Sequence, residues 1–385
     1  MNKNLTITSL LISVLITLCA CRGNSTDTSF SGDTLELKYA KQLHIIKCDG
    51  YNVVTLNDPW NKGKILHTYI LVPSNKELPA NLPQGTIVRT PLQRAVVTTS
   101  VHCGLIMSFG KGQNIKGVCD VKYINLPWIQ QQCKENKIAD CGSGITPTLE
   151  KIIGINADAI LISPFQNSGG YGRLNEWEKP IIETADYMET TALGRAEWMK
   201  FYGMLFGAEK QADSIFNDVE TKYNSLKQIA KTAKTRHSVI IDKINSSVWY
   251  VPGGQSTIGQ IIADANAAYP FSAEKSSGSL PLPFEIVLEK AGNSDIWLIR
   301  YNSPQKATYK SLLTENSGYS QFKAFKNKMV FGCNTYSNTF YEDTPFHPDL
   351  LLRDFIIITH PEITELGKAK YFEPVSYTHL TLPTN

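Results

Sequence analysis

The sequence has little charge and no cluster of positive charge. Only 19% of its 385 residues are charged, the formal net charge is +3, and no run of three or more Lys or Arg residues occurs. Because nucleic-acid binding requires many neutralised phosphates, this composition does not favour a nucleic-acid partner. The chain is nevertheless 42% apolar and 10% aromatic, which is enough to form a buried core and excludes a disordered protein.

The sequence also lacks an apolar run long enough to cross a membrane. The stretch of 14 residues from Leu5 to Leu18 is too short for a span and, after Lys3, is typical of a signal peptide covering residues 1–20. It ends in LCAC, which resembles a bacterial lipoprotein box with Cys21 as the lipidated residue. We therefore expect a lipoprotein held on a bacterial membrane in the periplasm through Cys21. An ordinary signal peptide is the alternative.

Both ends of the chain are predicted to lie outside the fold. Residues 21–34 are small and polar and are expected to form a flexible tether between the membrane and the first domain. The last eleven residues, VSYTHLTLPTN at 375–385, resemble translated sequencing-adapter read-through. We interpret this tail as a sequencing artefact, so the fold is expected to end near residue 374.

The cysteines do not form a metal-binding pattern. The chain has eight, two of them in the signal region, with no C-x-x-C motif and no His at ligand spacing beside a Cys pair. Cys133 and Cys141 are close enough in sequence to form a disulfide, which an exported protein permits. Buried free thiols are the alternative, and the sequence does not decide between them.

An alternation of short apolar runs and helical segments predicts an α/β fold. Two β-rich runs between residues 35 and 73 flank a turn and indicate an N-terminal antiparallel hairpin. Further runs of four or five apolar residues, separated by helices, are typical of parallel strands covered on both faces. The predicted strands after the hairpin are 94–98, 115–118, 159–162, 238–241, 296–299 and 329–331.

One long amphipathic helix is predicted in the middle of the chain. No proline occurs between Pro180 and Pro252, and apolar residues recur at steps of three and four from Ala212 to residue 233. The predicted fold class is therefore α/β, with two Rossmann-like lobes that have parallel central sheets and are joined by a single long helix. The expected bounds are 35–193 for the first lobe, 194–235 for the helix and 236–374 for the second lobe.

Several segments between residues 92 and 373 resemble one known family. The most specific are TPTLEKII at 146–153 followed by NADAIL at 156–161, and PFEIVL at 283–288 followed by DIWL at 295–298. Their order and spacing resemble the class III periplasmic binding proteins, which are the solute-binding proteins of ABC importers for iron–siderophore complexes, haem and vitamin B12. The resemblance implies a binding protein without catalytic residues or a permanent cofactor, whose partners are a permease dimer and its ATPase subunits.

Two glutamates occupy matching places in the two halves of the chain. Glu150 and Glu285 each follow a proline and lie in the first turn of a predicted helix, where a carboxylate also suits the helix dipole. In the family, a Glu at this place on each lobe docks onto arginines of the permease. The resemblance therefore implies a docking role, and simple helix stabilisation is the alternative.

The ligand is expected between the lobes, at loops that follow the carboxyl ends of the strands. Aromatic side chains in these loops suit a flat macrocycle or a catecholate, and arginines suit the negative charge of a chelate or a propionate. The resemblance names a ferric siderophore, haem or cobalamin as the ligand. The predicted ligand-binding residues are Trp128, Phe165, Tyr171, Arg173, Trp249, Tyr250, Arg300, Tyr301 and Tyr336.

The sequence is less consistent with two other functions. Carriers of free zinc or manganese also join two lobes by a long helix, but they need about three His residues with a carboxylate, and few of the seven His lie in predicted strand-end loops. This carrier is the alternative function. A secreted hydrolase or chelatase is disfavoured because no G-x-S-x-G motif and no acid–base set occurs. No metal site and no catalytic residue is predicted.

Overall fold

The fold begins with an N-terminal β-sheet that is larger than the predicted hairpin. The computed structural model describes residues 32–166 and 170–377. Five strands lie in the order β1-β2-β3-β4-β5, all antiparallel except the β4–β5 pair. The strands are β1 (Asp33–Leu35), β2 (Leu43–Cys48), β3 (Tyr51–Asn57), β4 (Ile65–Pro73) and β5 (Thr86–Thr90). Because β1 begins at Asp33, the predicted tether overlaps the sheet by two residues.

The turn between β2 and β3 explains the larger sheet. Gly50 has a φ of 84°, a conformation that glycine adopts without strain, and it reverses the chain inside the first β-rich run. That run therefore supplies two strands instead of one. Alternate residues such as Leu43, Ile45 and Val54 enter the main core from one face of the sheet, whereas Val53 and Ile70 form a small cluster on the other.

Two buried carboxylates fix the chain between β1 and β2. The Glu197 carboxylate accepts hydrogen bonds from the backbone N–H groups of residues 38–40 at 2.8–3.0 Å. The Glu189 carboxylate accepts those of Lys41 and Gln42 at 2.9 Å. Because a buried carboxylate requires several donors to offset its lost hydration, this contact ties the sheet firmly to the rest of the chain.

The first lobe is a five-stranded parallel sheet in the order β10-β9-β6-β7-β8. Its strands and helices alternate, and the central strands β6 and β9 are buried along their whole length, as their continuous apolar sequences predict. The elements are β6 (Ala95–Val97), α1 (Ser100–Ser108), β7 (Ile115–Val118), α2 (Pro127–Lys134), β8 (Ala139–Asp140), α3 (Leu149–Gly154), β9 (Ala159–Ile162) and β10 (Ile181–Glu183).

The predicted connecting helix is divided into three helices, which corrects its expected start near residue 194. They are α4 (Ala192–Glu197), α5 (Met199–Phe206) and α6 (Glu209–Lys231). Trp198 separates the first two, and Gly207, with a left-handed φ of 59°, ends the second. Only α6 matches the predicted amphipathic repeat, and its 23 residues span about 34 Å instead of the roughly 60 Å expected.

The second lobe contains a four-stranded sheet in the order β11-β14-β15-β16 and a separate two-stranded antiparallel sheet, β12–β13. The pairs β11–β14 and β14–β15 are parallel, whereas β16 is antiparallel to β15. The strands are β11 (Val239–Ile241), β12 (Trp249–Pro252), β13 (Ser279–Leu282), β14 (Ile296–Tyr301), β15 (Val330–Asn334) and β16 (Glu373–Pro374). The helices are α7 (Thr257–Asp264), α8 (Phe284–Ala291), α9 (Tyr309–Glu315), α10 (Lys323–Lys326), α11 (Phe340–Asp343) and α12 (Pro348–Thr359).

The two ends of the chain differ in what the structure shows of them. Residues 1–31, with the predicted signal peptide and Cys21, lie outside the described residues, as do residues 378–385. Residues 375–377 continue from β16: the Val375 N–H bonds Val330 O at 2.9 Å, and Ser376 O accepts the Tyr309 N–H at 3.0 Å. The first three residues of the predicted artefact therefore have a place in the fold. None of the helices described here combines the length and apolar character needed to cross a membrane.

Candidate ligand-binding site

A cavity of about 720 Å³ opens at the carboxyl ends of the parallel strands in the first lobe. This is the edge of an open α/β sheet where ligands generally bind. Its wall is formed by residues that directly follow β6, β7, β8 and β9, together with a segment before β10. The lining residues are 98–99, 120, 144–147, 162–165, 170–174 and Tyr187.

The cavity wall is mainly apolar and aromatic. Phe165 is 50% exposed and Ile145 is 75% exposed, so both present apolar surface that the fold itself does not cover. Tyr187 lies beside them and donates a hydrogen bond to Pro164 O at 2.5 Å. Exposed aromatic and aliphatic side chains around a concave site are typical of a site for an apolar or flat ligand.

Tyr171 is held in the cavity wall by a buried glutamate that also contacts the N-terminal sheet. Its hydroxyl donates to Glu183 Oε1 at 2.6 Å, and burial together with this carboxylate raises the pKa of the phenol. The second carboxylate oxygen of Glu183 lies 3.1 Å from His67 Nδ1 on β4. Tyr69, also on β4, accepts the Glu183 N–H at 2.8 Å and donates to Ile181 O. The N-terminal sheet therefore orients one wall of the cavity.

Arg173 and Glu150 form an ion pair at the rim of this cavity. Arg173 Nη1 lies 2.6 Å from Glu150 Oε1, and the two side chains are 69% and 62% exposed. The hydrogen bond from its own backbone N–H, followed by the Arg173 charge, lowers the pKa of Glu150. The structure thus joins a predicted ligand-binding residue to a predicted docking residue.

The second predicted docking residue has a different environment. Glu285 is exposed in the first turn of α8, where Phe284 and Val287 face the lobe. Within the described part of the chain it forms no ion pair and no side-chain hydrogen bond with another residue. The two glutamates thus occupy matching places but differ in their partners.

A second cavity, of about 420 Å³, lies between the lobes. The first lobe contributes Lys122, Tyr123 and Asn125, and the second contributes Asn302 and Tyr336. Both tyrosines are more than half exposed, and Lys122 Nζ lies 4.6 Å from the centroid of the Tyr123 ring. This cavity places one predicted ligand residue, Tyr336, opposite an aromatic residue of the other lobe.

Direct hydrogen bonds join the lobes beside this second cavity. The Asn125 N–H donates to Glu342 Oε1 at 2.9 Å, and Asn125 Nδ2 donates to Asn338 O at 3.0 Å and to Thr335 O. Helix α11 also lies so close to α1 that a Cβ on Gly104 would be 2.6 Å from Glu342 O. The lobes are therefore connected by packed helices and by Asn125, as well as by the segment 192–231.

Trp249 and Arg300 have structural roles in the second lobe, which corrects their prediction as ligand-binding residues. Trp249 has no exposed surface, stacks on Trp297 at 5.6 Å between centroids and donates to Ile241 O at 3.0 Å. Arg300 forms two hydrogen bonds with Asp242, from Nε at 2.7 Å and from Nη2 at 2.5 Å. Its charge is thus balanced within the lobe.

Three other predicted ligand-binding residues line neither cavity. The Trp128 ring packs over Gly112, 3.2 Å from where a Cβ would lie. The Tyr301 hydroxyl accepts the Ala307 N–H at 3.0 Å. Tyr250 is 50% exposed on β12, on the opposite side of the strand from the buried Trp249. Phe165, Tyr171 and Arg173 are therefore the predicted residues brought together in the first cavity.

The sequence missed several residues that line the cavities. Tyr123 follows the predicted strand β7, so the rule that selected Phe165 would also have found it. Ile145 is aliphatic and follows β8, and Tyr187 follows β10 in a short 3-10 turn; neither strand was predicted, so the rule could not select these two residues. Asn125 had no local signal, since its importance comes from contacts with residues more than 200 positions away.

The cysteines and metal ligands show no paired or clustered arrangement in the described chain. All six described cysteines are free thiols, so the Cys133–Cys141 disulfide is not formed and the free-thiol alternative holds. Burial raises the pKa of Cys141 to about 11. Across residues 32–166 and 170–377, no group of three or more His, Cys, Asp or Glu side chains could hold a metal ion.

Comparison with known proteins identifies the family. A family model described as periplasmic binding protein matches residues 97–336, and the chain belongs to this family. It is therefore a solute-binding protein and not an enzyme, as predicted. An uncharacterised lipoprotein of Methanocaldococcus jannaschii is 29% identical over 363 residues, covering 87% of this chain and 84% of that protein. The N-terminal sheet lies before the matched residues.

Solved structures confirm the fold class of two α/β lobes. A periplasmic haem-binding protein from Roseiflexus sp. RS-1 has a TM-score of 0.57 at 15% identity, covering 70% of this chain and 99% of that one. A siderophore-binding protein from Vibrio cholerae, solved with Fe³⁺–Desferal, has a TM-score of 0.51 at 14% identity, with 70% and 99% coverage. At these identities the similarity concerns the fold alone.

Proposed function

We propose that this protein is the substrate-binding lipoprotein of an ABC importer, and that it captures an iron–siderophore complex, haem or a cobalamin. The observation that carries the proposal is the cavity of about 720 Å³ at the carboxyl ends of the first lobe's strands. Its volume is within the usual range for small-molecule sites, roughly 300–1,000 Å³. The relatives with solved structures include haem-binding and siderophore-binding proteins, which supports this ligand class.

The residues proposed to bind the ligand are Phe165, Tyr171 and Arg173 in the first cavity and Tyr336 in the second. The aromatic rings supply flat apolar surface for a macrocycle or the aryl groups of a chelate. Arg173 supplies the positive charge for an anionic group such as a propionate. A ligand that extends from the first lobe toward Tyr336 would contact both lobes.

Delivery requires contact with a permease dimer and its ATPase subunits. We propose that Glu150 and Glu285, one on each lobe, form charge-assisted contacts with arginines of the two permease subunits. Their matching positions in the first turns of α3 and α8 support this role. The lipid on Cys21 would hold the protein at the outer face of the membrane where the permease lies.

Ligand binding can be tested by fluorescence quenching with ferric Desferal, haemin and cyanocobalamin. We expect one of these probes to bind the unmodified protein. Phe165→Ala should lower the affinity for that probe by about tenfold because a stacking surface is lost. Tyr250→Ala is the matched control, since both side chains are 50% exposed but Tyr250 lines neither cavity. Equal affinities for the two variants would contradict the proposed site.

Docking is tested separately, by uptake of whichever probe binds, in cells that carry the cognate transporter. Glu285→Ala should abolish uptake while the purified variant retains its affinity for the probe. Glu209→Ala is the control, because Glu209 is also an exposed carboxylate in the first turn of a helix, α6. Undiminished uptake in Glu285→Ala would contradict the docking role.

A further inference from the structure

Arg173 holds a distinctive position in the larger cavity. Among the described residues that line this cavity, it is the only one with a positive charge. Asp120 is the single carboxylate in the lining, and its Oδ2 already accepts the Gly144 N–H at 2.8 Å. An anionic ligand in this cavity therefore has one side-chain charge partner, which is Arg173.

The same guanidinium is already engaged by Glu150. Arg173 Nη1 and Glu150 Oε1 are 2.6 Å apart, so an anion that takes this N–H must displace the carboxylate or share it. Both side chains are largely exposed, and exposed pairs of this kind contribute little because water solvates the separated ions well. The pair is thus weak enough to be exchanged by a ligand.

Glu150 remains charged when the pair separates. The hydrogen bond from its own backbone N–H is the largest influence that lowers its pKa, and Arg173 comes second. The backbone of α3 therefore stabilises the carboxylate independently of the arginine. Separation exposes an unpaired negative charge instead of a neutral acid.

We infer that Glu150 is a selectivity residue, which competes with anionic ligands for Arg173 and thereby sets the affinity of the cavity for anions. The inference rests on the proposed ligand site. An anionic chelate or a propionate that binds Arg173 Nη1 competes with Glu150 for this donor, whereas a ligand without a free anionic group does not. Glu150 therefore weakens the binding of anionic ligands and leaves other ligands unaffected.

The competition also links the cavity to the proposed docking surface. When an anionic ligand takes Arg173, Glu150 loses its partner and becomes available to a cationic surface. Because linkage is reciprocal, a permease that binds Glu150 favours the arrangement in which Arg173 faces the ligand. Glu285 has no such partner in the described chain. Ligand binding therefore changes the availability of the docking glutamate on the first lobe only.

A double-mutant cycle with two probes tests the inference. Haemin carries propionates, whereas ferric Desferal has no anionic group apart from its iron-bound hydroxamates. We expect Glu150→Gln to raise the affinity for haemin by up to about fivefold, the most that an exposed pair usually provides. The same change should not raise the affinity for ferric Desferal, whose free group is an ammonium. Arg173→Gln should weaken haemin binding, and Glu150→Gln should then have no further effect in that background.

Glu176→Gln is the control for general electrostatics, because Glu176 lies on the same 3-10 turn as Arg173 and is also an exposed carboxylate. An equal effect of Glu176→Gln, or an effect of Glu150→Gln that persists without Arg173, would overturn the inference. Unchanged haemin affinity in Glu150→Gln would also overturn it while leaving the binding site intact. Failure of the unmodified protein to bind either probe would instead overturn the proposed site, and the inference with it.

Discussion

Asp186 provides a test of how the connecting helices are held against the first lobe. Its carboxylate is fully buried and accepts hydrogen bonds from His102 Nε2 at 2.8 Å, Arg195 Nε at 2.9 Å and the Tyr202 hydroxyl at 2.7 Å. Burial alone would raise the pKa of Asp186, but His102 and Arg195 outweigh it and lower the pKa from 3.8 to about 2. One carboxylate thus joins α1, α4 and α5.

The lowered pKa makes part of the stability depend on pH in a defined direction. A carboxyl with a lower pKa in the folded state adds stability that is complete above its unfolded pKa and lost as the pH falls through the folded pKa. The shift from 3.8 to about 2 corresponds to roughly 2 kcal/mol at neutral pH. Of this, about 1 kcal/mol is lost between pH 5 and pH 3.

The measurement is urea unfolding of the unmodified protein and Asp186→Asn at pH 6, 5, 4 and 3. The variant should be destabilised by about 3 kcal/mol or more at pH 6, because removing one member of a buried ion pair leaves the others uncompensated. The difference in the free energy of unfolding between the two proteins should decrease by about 1 kcal/mol between pH 5 and pH 3. Asp213→Asn, at an exposed position on α6, is the control and should show no such dependence on pH. If the difference in unfolding free energy between Asp186→Asn and the unmodified protein stayed constant with pH, the lowered pKa of Asp186 would be refuted.

Two further substitutions test the structural roles of residues near the cavities. Trp249→Leu should lower the free energy of unfolding by about 3 kcal/mol because it leaves a cavity in the second lobe, whereas the neighbouring Tyr250→Leu should change it by less than about 0.5 kcal/mol. Similar losses in the two variants would contradict the burial of Trp249. Asn125→Ala removes hydrogen bonds between the lobes, costs about 1–3 kcal/mol and should increase the radius of gyration in X-ray scattering. Unchanged scattering would mean that the packing of α1 on α11 alone fixes the lobes.

The sequence predicted the central strands of the two lobes because their signals are local. In the first parallel sheet, β6, β7 and β9 each lie where a short apolar run predicted a strand, whereas the two-residue strand β8 gave no such signal. The predicted start of the connecting helix near residue 194 was wrong because the apolar repeat begins only at Ala212, so the repeat gave no evidence about residues 194–211. Gly207 ends α5 in a left-handed conformation, and a glycine within an apolar pattern does not show its φ in advance.

The candidate site was predicted less well than the strands. An aromatic residue in or after a strand can either line a cavity or pack in the core, and the sequence alone does not show which. Phe165 follows β9 of a parallel sheet and faces the cavity, whereas Trp249 lies within the two-stranded antiparallel sheet β12–β13 and is buried in the core. Local sequence does not distinguish a parallel strand from an antiparallel one. Arg300 likewise resembled a ligand-binding cation until tertiary structure placed Asp242 beside it, 58 positions earlier in the chain.

The N-terminal sheet lies before the residues matched by the family model, yet it packs on the lobe that contains the larger cavity. Glu189 and Glu197 are buried with the backbone of residues 38–42 as donors, so removing that segment would leave two carboxylates without most of their hydrogen bonds. His67 contacts Glu183, which in turn holds Tyr171 in the cavity wall. A fragment limited to residues 97–336 would therefore lose both stability and the orientation of Tyr171, which makes the sheet a component of the first lobe.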